Sequence, residues 1–238
     1  MARAELEVCV DDIAGLHAAV EGGADRVELC AALPLGGLTP GAGLIRAAQE
    51  VAIPVMVMIR PRAGDFVFSS DDMRAMLAEI AAVRQAGLHG VVIGASVPDG
   101  QLDLAVLARL LEAAAGLDVT LHRAIDLCPD PVASLGKAVE LGISRVLTSG
   151  GARRAIDGIA TLERMAVIGG TRCQVMAGSG VDAHCAQRLL AAGVGALHGS
   201  CSSGTRQGAG LVEMGFAPET ARFTDQQKVR TLLQAMEP

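Results

Sequence analysis

The fold class this sequence predicts is α/β, a (β/α)₈ TIM barrel, and three observations predict it. First, four stretches repeat one pattern of helix-like apolar periodicity, a glycine, two or three small or polar residues and a short apolar run. They are GADRVEL from Gly23, GLHGVVI from Gly87, GISRVLT from Gly142 and GVGALHG from Gly193. The glycine suits the left-handed position that ends a helix, and the apolar run suits a strand covered on both faces. Second, these junctions lie 64, 55 and 51 residues apart, about twice the length of one strand-plus-helix unit. LEVCV at 6–10 leads the series, and VMVMI at 55–59, VTLHR at 119–123 and CQVMA at 173–177 fall between the junctions, which makes eight strands. Third, helix-capping residues stand where the alternation needs them: Asp11 and Asp12, Ser70 and Asp71, Asp130 followed by Pro131, and Asp182. A doubly wound open sheet is the alternative, but no G-x-G-x-x-G follows the first strand.

Barrel strands alternate between residues facing the helices and residues facing the axis, so each strand can be assigned two faces. The first turns Leu6, Val8 and Val10 outward and Glu7 and Cys9 inward. In the second, Val27 and Leu29 face the helices while Arg26, Glu28 and Cys30 face the axis. The third sends Met56, Met58 and Arg60 inward, the fifth His122, and the eighth His198 and Ser200. Residues 201–223 are rich in Gly and Ser and read as a loop, followed by a last helix from Asp225 to about Ala235. No linker or composition shift divides residues 1–238, which read as a single domain.

A chain of 238 residues with half its residues apolar can bury roughly 70–75% of its unfolded surface in one core. The net charge of −6 has no basic cluster behind it, and the chain has no Trp or Tyr and four Phe, which argues against nucleic acid and anionic membranes as partners. The acidic start, with Glu5, Glu7, Asp11 and Asp12, does not read as a signal peptide, and the longest apolar run, VAIPVMVMI, is about half a bilayer span. Six scattered cysteines without a C-x-x-C pair complete the reading of a soluble cytoplasmic protein without disulfides.

Catalysis in this fold sits at the carboxyl ends of the strands. Glu7, Glu28, Arg60, His122 and His198 come from five strands and converge there, a set of carboxylates, imidazoles and a guanidinium suited to acid–base chemistry on a small anion. A structural ion pair between Glu28 and Arg60 is the competing reading for that pair. Arg60 and Arg62 in RPRAGDF could hold an anion, and small residues after the last three strands, Ser149, Gly178, Gly180 and Ser200, could cradle a phosphate with backbone amides. Cys9 and Cys30 end adjacent inward rows near Met56, Met58 and Met176. Thiolate and thioether favour Cu(I), although Cys and Met are also ordinary core residues.

In order along the chain, LEVCVDD, ADRVELC, GGLTP, VMIRPRAGDF, VTLHRAID, RVLTSG, VMAGSGV and TDQQKVRTL resemble the motifs of the CutC family, from Leu6 to Leu233. The resemblance implies a (β/α)₈ barrel acting in copper homeostasis in the cytoplasm, as a homo-oligomer, with Cys9 and Cys30 as the matching Cu(I) ligands. Two functions therefore stand as expectations: copper handling, with the copper ion as ligand, and an enzyme acting on a small anionic or phosphorylated metabolite at the barrel mouth. A purely structural barrel is a third.

Overall fold

The computed structural model describes residues 3–237. Eight parallel strands pair in sequence order and close into a barrel: β1 (Glu5–Val10), β2 (Arg26–Leu29), β3 (Val55–Met58), β4 (Gly90–Ile93), β5 (Asp118–Leu121), β6 (Arg145–Thr148), β7 (Gln174–Gly178) and β8 (Ala196–Gly199). Helices α1 (Ile13–Gly22), α2 (Ala42–Ala48), α3 (Ser70–Gln85), α4 (Leu104–Ala113), α5 (Pro131–Glu140), α6 (Ile159–Gly169) and α7 (Ala186–Ala191) separate successive strands. This is the TIM barrel the sequence predicts.

The local chemistry acts as read. Gly23, Gly87, Gly142 and Gly193 all have positive φ, between 69° and 100°, so each junction turns at a left-handed glycine. Asp12 accepts the Gly15 amide at 2.5 Å, and Asp130 accepts those of Val132 and Ala133 at 3.0 Å. Ser69, one residue ahead of the expected cap, caps α3 and forms a reciprocal box with Asp72. Asp182 caps a turn over His184 and Cys185, and α7 itself begins only at Ala186.

Residues 201–223 depart from the expected loop. They form an antiparallel hairpin of β9 (Ser202–Arg206) and β10 (Thr220–Thr224), with α8 (Ala209–Glu213) in the connection. Both strands are mostly solvent-facing, so SSGTR and TARFT lack the apolar alternation that marks a strand. The last helix, α9 (Gln226–Ala235), starts on the Asp225 cap as expected and packs against α1.

The two faces of the strands separate cleanly. Leu6, Val8, Val10, Val27, Leu29, Val55 and Val57 join the large core between sheet and helices. Inside the barrel lie two smaller clusters: Cys30, Met56, Met58 and Val92, and Leu147, Met176 and Ala196. The assigned alternation thus holds, and every polar residue on the inner face is forced toward the axis.

Candidate functional site

Strand register brings the inward charges together. Glu7 stands level with Arg26 of β2 on one side and His198 of β8 on the other, while Cys9 stands level with Glu28. Glu7 is fully buried and accepts two charge-assisted bonds, from Arg26 Nε at 2.6 Å and from His198 Nδ1 at 2.8 Å. Burial alone would push its pKa up, but His198 and Arg26 outweigh burial and hold the carboxyl below its ordinary range. For His198 burial pulls down, and Cys9, Glu28 and Glu7 together hold it well above the ordinary histidine value. The Arg26–Glu7–His198 row is therefore an ion triad beneath the mouth, one carboxylate between two cations.

Above that row, the Cys9 sulfur, a Glu28 oxygen and a His198 ring nitrogen lie within 4.8 Å of one another. Since Nδ1 is committed to Glu7, Nε2 faces this cluster and sits 3.7 Å from Glu28 Oε2. Cys30 donates its thiol to the same Oε2 at 3.5 Å. Burial pushes Glu28 up and Cys30 well up. The other Glu28 oxygen, Oε1, is buried with no hydrogen-bond partner.

Cys9, Glu28 and His198 form the floor of a cavity of about 840 Å³ that opens at the carboxyl ends of the strands. Five Lys and Arg residues (Arg60, Arg123, Arg154, Arg222, Lys228) line it against three acids (Glu28, Asp182, Asp225), so a chain of net charge −6 presents a positive cavity. Arg222 and Lys228 reach it from the hairpin and α9, both bonded to Ser202.

Of the residues the sequence singled out, Glu28, Arg60, His122, His198, Cys9, Gly180 and Ser200 line this cavity. Glu7 lies beneath it. Cys30 packs beside Met58 in the adjoining interior cluster. Three others are placed elsewhere. Arg62 is spent on Asp65 at 2.9 Å and Asp72 at 3.3 Å, outside the cavity lining. Ser149 is bonded to Asp126 and to Arg123. Gly178 is a packing glycine, where a Cβ would overlap Leu147.

His122 and Arg60 also take forms that residue type alone does not give. Nδ1 of His122 accepts the Ala124 amide at 3.1 Å, so in the neutral ring the proton is on Nε2. Burial, with Arg60 nearby, brings its pKa down to about 3. His122 is thus neutral at pH 7, with its one ring proton fixed on Nε2. Arg60 gives Nη1 to the carbonyls of Leu35 and Gly37 and Nη2 to that of Gly64, at 2.7–3.1 Å. It braces the loops after β2 and β3.

The sequence did not single out Arg26, Phe66, Arg154, Arg222 or Lys228 as site residues. The strand parity already turned Arg26 inward beside Glu7, and Phe66, one of four Phe, follows directly on RPRAGD. Arg222 carried no such signal, because its placement depends on the unforeseen hairpin, and Lys228, on the expected last helix, is turned to the mouth by its bond to the Ser202 carbonyl.

Comparison with known proteins places the chain. The model of the CutC family matches residues 4–203. A family protein CutC of Sinorhizobium medicae is 51% identical over 234 residues, covering 98% of this chain and 96% of the relative. One of Caulobacter vibrioides is 49% identical over 238 residues, covering 98% and 97%. Among solved structures, a copper homeostasis protein CutC of Streptococcus agalactiae is 31% identical with a TM-score of 0.78, covering 83% of this chain and 98% of that one. Thiamine phosphate pyrophosphorylase of Pyrococcus furiosus, at 15% identity and a TM-score of 0.62 over 98% of this chain and 95% of that one, shares the fold alone.

Proposed function

This chain belongs to the CutC family, and on that premise we propose that it handles copper as cargo, holding Cu(I) at the floor of the barrel mouth. The observation that carries the proposal is the convergence of the Cys9 sulfur, the His198 ring and Glu28 within 4.8 Å, on the floor of a cavity that opens at the mouth. Thiolate and imidazole are the soft and borderline donors that suit Cu(I). The unpartnered Glu28 Oε1 is an acceptor that a bound cation would satisfy. Glu7 supports the set by fixing the His198 ring through Nδ1, the arrangement that orients metal-ligating histidines. Cys30, held on Glu28, supplies a second sulfur at the edge of the set. Its thiol and the His198 Nε2 both carry protons at neutral pH, so binding through them releases those protons.

The copper named for the Streptococcus agalactiae relative supports the choice of cargo. Six buried cysteines, all unpaired, support a reducing, cytoplasmic setting. No helix among the described residues is long and apolar enough to cross a membrane. A homo-oligomer is the assembly the family resemblance implies, and sedimentation velocity checks it.

The test is a titration of the reduced protein with Cu(I) against a competing chelator, with Zn²⁺ in parallel. One Cu(I) per chain is expected, with affinity falling at least about 100-fold in Cys9→Ser, more than the roughly 10- to 100-fold that supporting residues cost. Unchanged affinity in Cys9→Ser/Cys30→Ser, or tighter retention of Zn²⁺ than of Cu(I), would overturn the proposal. A second reading, an enzyme acting on a small anionic metabolite, is favoured by one observation, the excess of cations lining the cavity.

A further inference from the structure

Two hydrogen-bond donors on the wall of the cavity are buried and unused. His122 is 3% exposed and Arg60 5% exposed, both line the cavity, and neither Nε2 of His122 nor Nε of Arg60 has a partner. Buried donors without partners cost about 1–3 kcal/mol each, and each calls for an acceptor. They flank the same ring: the His122 and Phe66 centroids are 4.7 Å apart, and the Arg60 guanidinium carbon lies 4.8 Å from the Phe66 centroid. Arg60 also enters none of the ion pairs among the described residues. Its three bonds go to neutral carbonyls, so a buried positive charge is left without a counter-ion.

We infer that His122 and Arg60 form the seat for the carboxylate of a small organic acid, which enters through the barrel mouth and takes His122 Nε2–H and Arg60 Nε–H as its two donors. Such an acceptor satisfies both orphan N–H groups and neutralises the guanidinium at once. A neutral imidazole suits this task, since its single proton is locked on Nε2 by the Ala124 amide on the other nitrogen. Gly94 on the neighbouring strand end belongs to the seat too, because a Cβ there would overlap the His122 ring. The inference deepens the second reading above by naming the ligand class, and rests on it only in that a small molecule enters the cavity.

Histidine-selective ¹⁵N NMR tests it, with glycolate as the carboxylate probe, its neutral amide glycolamide as the isostere and inorganic phosphate as the competing oxyanion. The Nε2–H tautomer of His122 is expected between pH 5 and 8. Its Nε2 resonance should move saturably with glycolate and stay still with glycolamide. His122→Phe should weaken glycolate binding, followed by calorimetry, at least about 10-fold, the worth of one charge-assisted bond. Gly94→Ala keeps the donor but displaces the ring, and should weaken binding comparably while the protein stays folded by circular dichroism. A His122 proton on Nδ1, a resonance indifferent to glycolate, equal response to glycolamide, or tighter binding of phosphate than glycolate would each overturn the assignment. The copper titration is scored on Cys9 and Cys30 and this one on His122 and Gly94, so either can fail alone.

Discussion

The two walls of the barrel mouth use the same residue types to opposite ends. On the β1–β2–β8 wall the charges close on one another: Arg26 and His198 both bond Glu7, and His198 stands 3.7 Å from Glu28, of which one oxygen, Oε1, is left without a partner. On the β3–β5 wall, Arg60 and His122 keep a donor unused and share only an aromatic ring. The first wall holds its own geometry and lends rigidity to the cluster above it. The second is incomplete without a ligand. Burial of charge in this molecule therefore has two meanings, and only the list of partners tells them apart.

The largest effect expected from breaking this contrast is on the first wall. Arg26→Ala leaves Glu7 with His198 alone, and should cost about 3–5 kcal/mol of unfolding free energy in urea. A loss under about 1 kcal/mol would mean that the triad is not a unit.

The two histidines should respond to pH with opposite sign. His122 stays neutral in the fold down to about pH 3, whereas the unfolded chain protonates it near 6.5. The unfolded state binds more protons in that window, so stability falls as pH drops from about 6.5 toward 3, by on the order of 5 kcal/mol in full. His198 is held well above its ordinary value. Its contribution is complete below about 6.5 and is lost as pH rises through its folded pKa. Urea midpoints across pH should show His122→Phe flattening the acid limb and His198→Asn flattening the limb above neutrality. The same limb flattened by both variants would dissolve the contrast.

A smaller effect is expected from Phe66→Leu, which removes the ring that His122 and Arg60 share. About 1 kcal/mol in thermal unfolding is expected from the lost aromatic and cation–π contacts. The smallest belongs to Arg62→Ala: its guanidinium is spent on Asp65, Asp72 and the Val67 carbonyl outside the cavity, so unfolding in urea should change by less than about 1 kcal/mol and the glycolate response should not move.

Much of this was legible in the sequence, and the legible part shares one cause. Strand parity and junction glycines are local rules, so β1 to β8, the inward turn of Glu7, Cys9, Glu28 and His198, and the caps at Asp12 and Asp130 follow from short stretches. What escaped depends on distant partners. Arg62 and Ser149 read as anion ligands until Asp65, Asp72 and Asp126 are seen to occupy them. The tautomer of His122 is set by the Ala124 amide, which residue type alone does not give. The hairpin over 201–223 escaped because its strands face solvent, and with it went Arg222, the cation it brings to the mouth.

The central claim, that Cys9 and His198 hold Cu(I) beneath the mouth, is tested most directly by X-ray absorption at the copper edge of the protein loaded with one Cu(I). The account predicts a monovalent copper with sulfur and imidazole nitrogen as nearest neighbours, the sulfur contribution reduced in Cys9→Ser and the imidazole signal lost in His198→Asn. A copper environment of oxygen and nitrogen alone, or a spectrum unchanged by both substitutions, would contradict it.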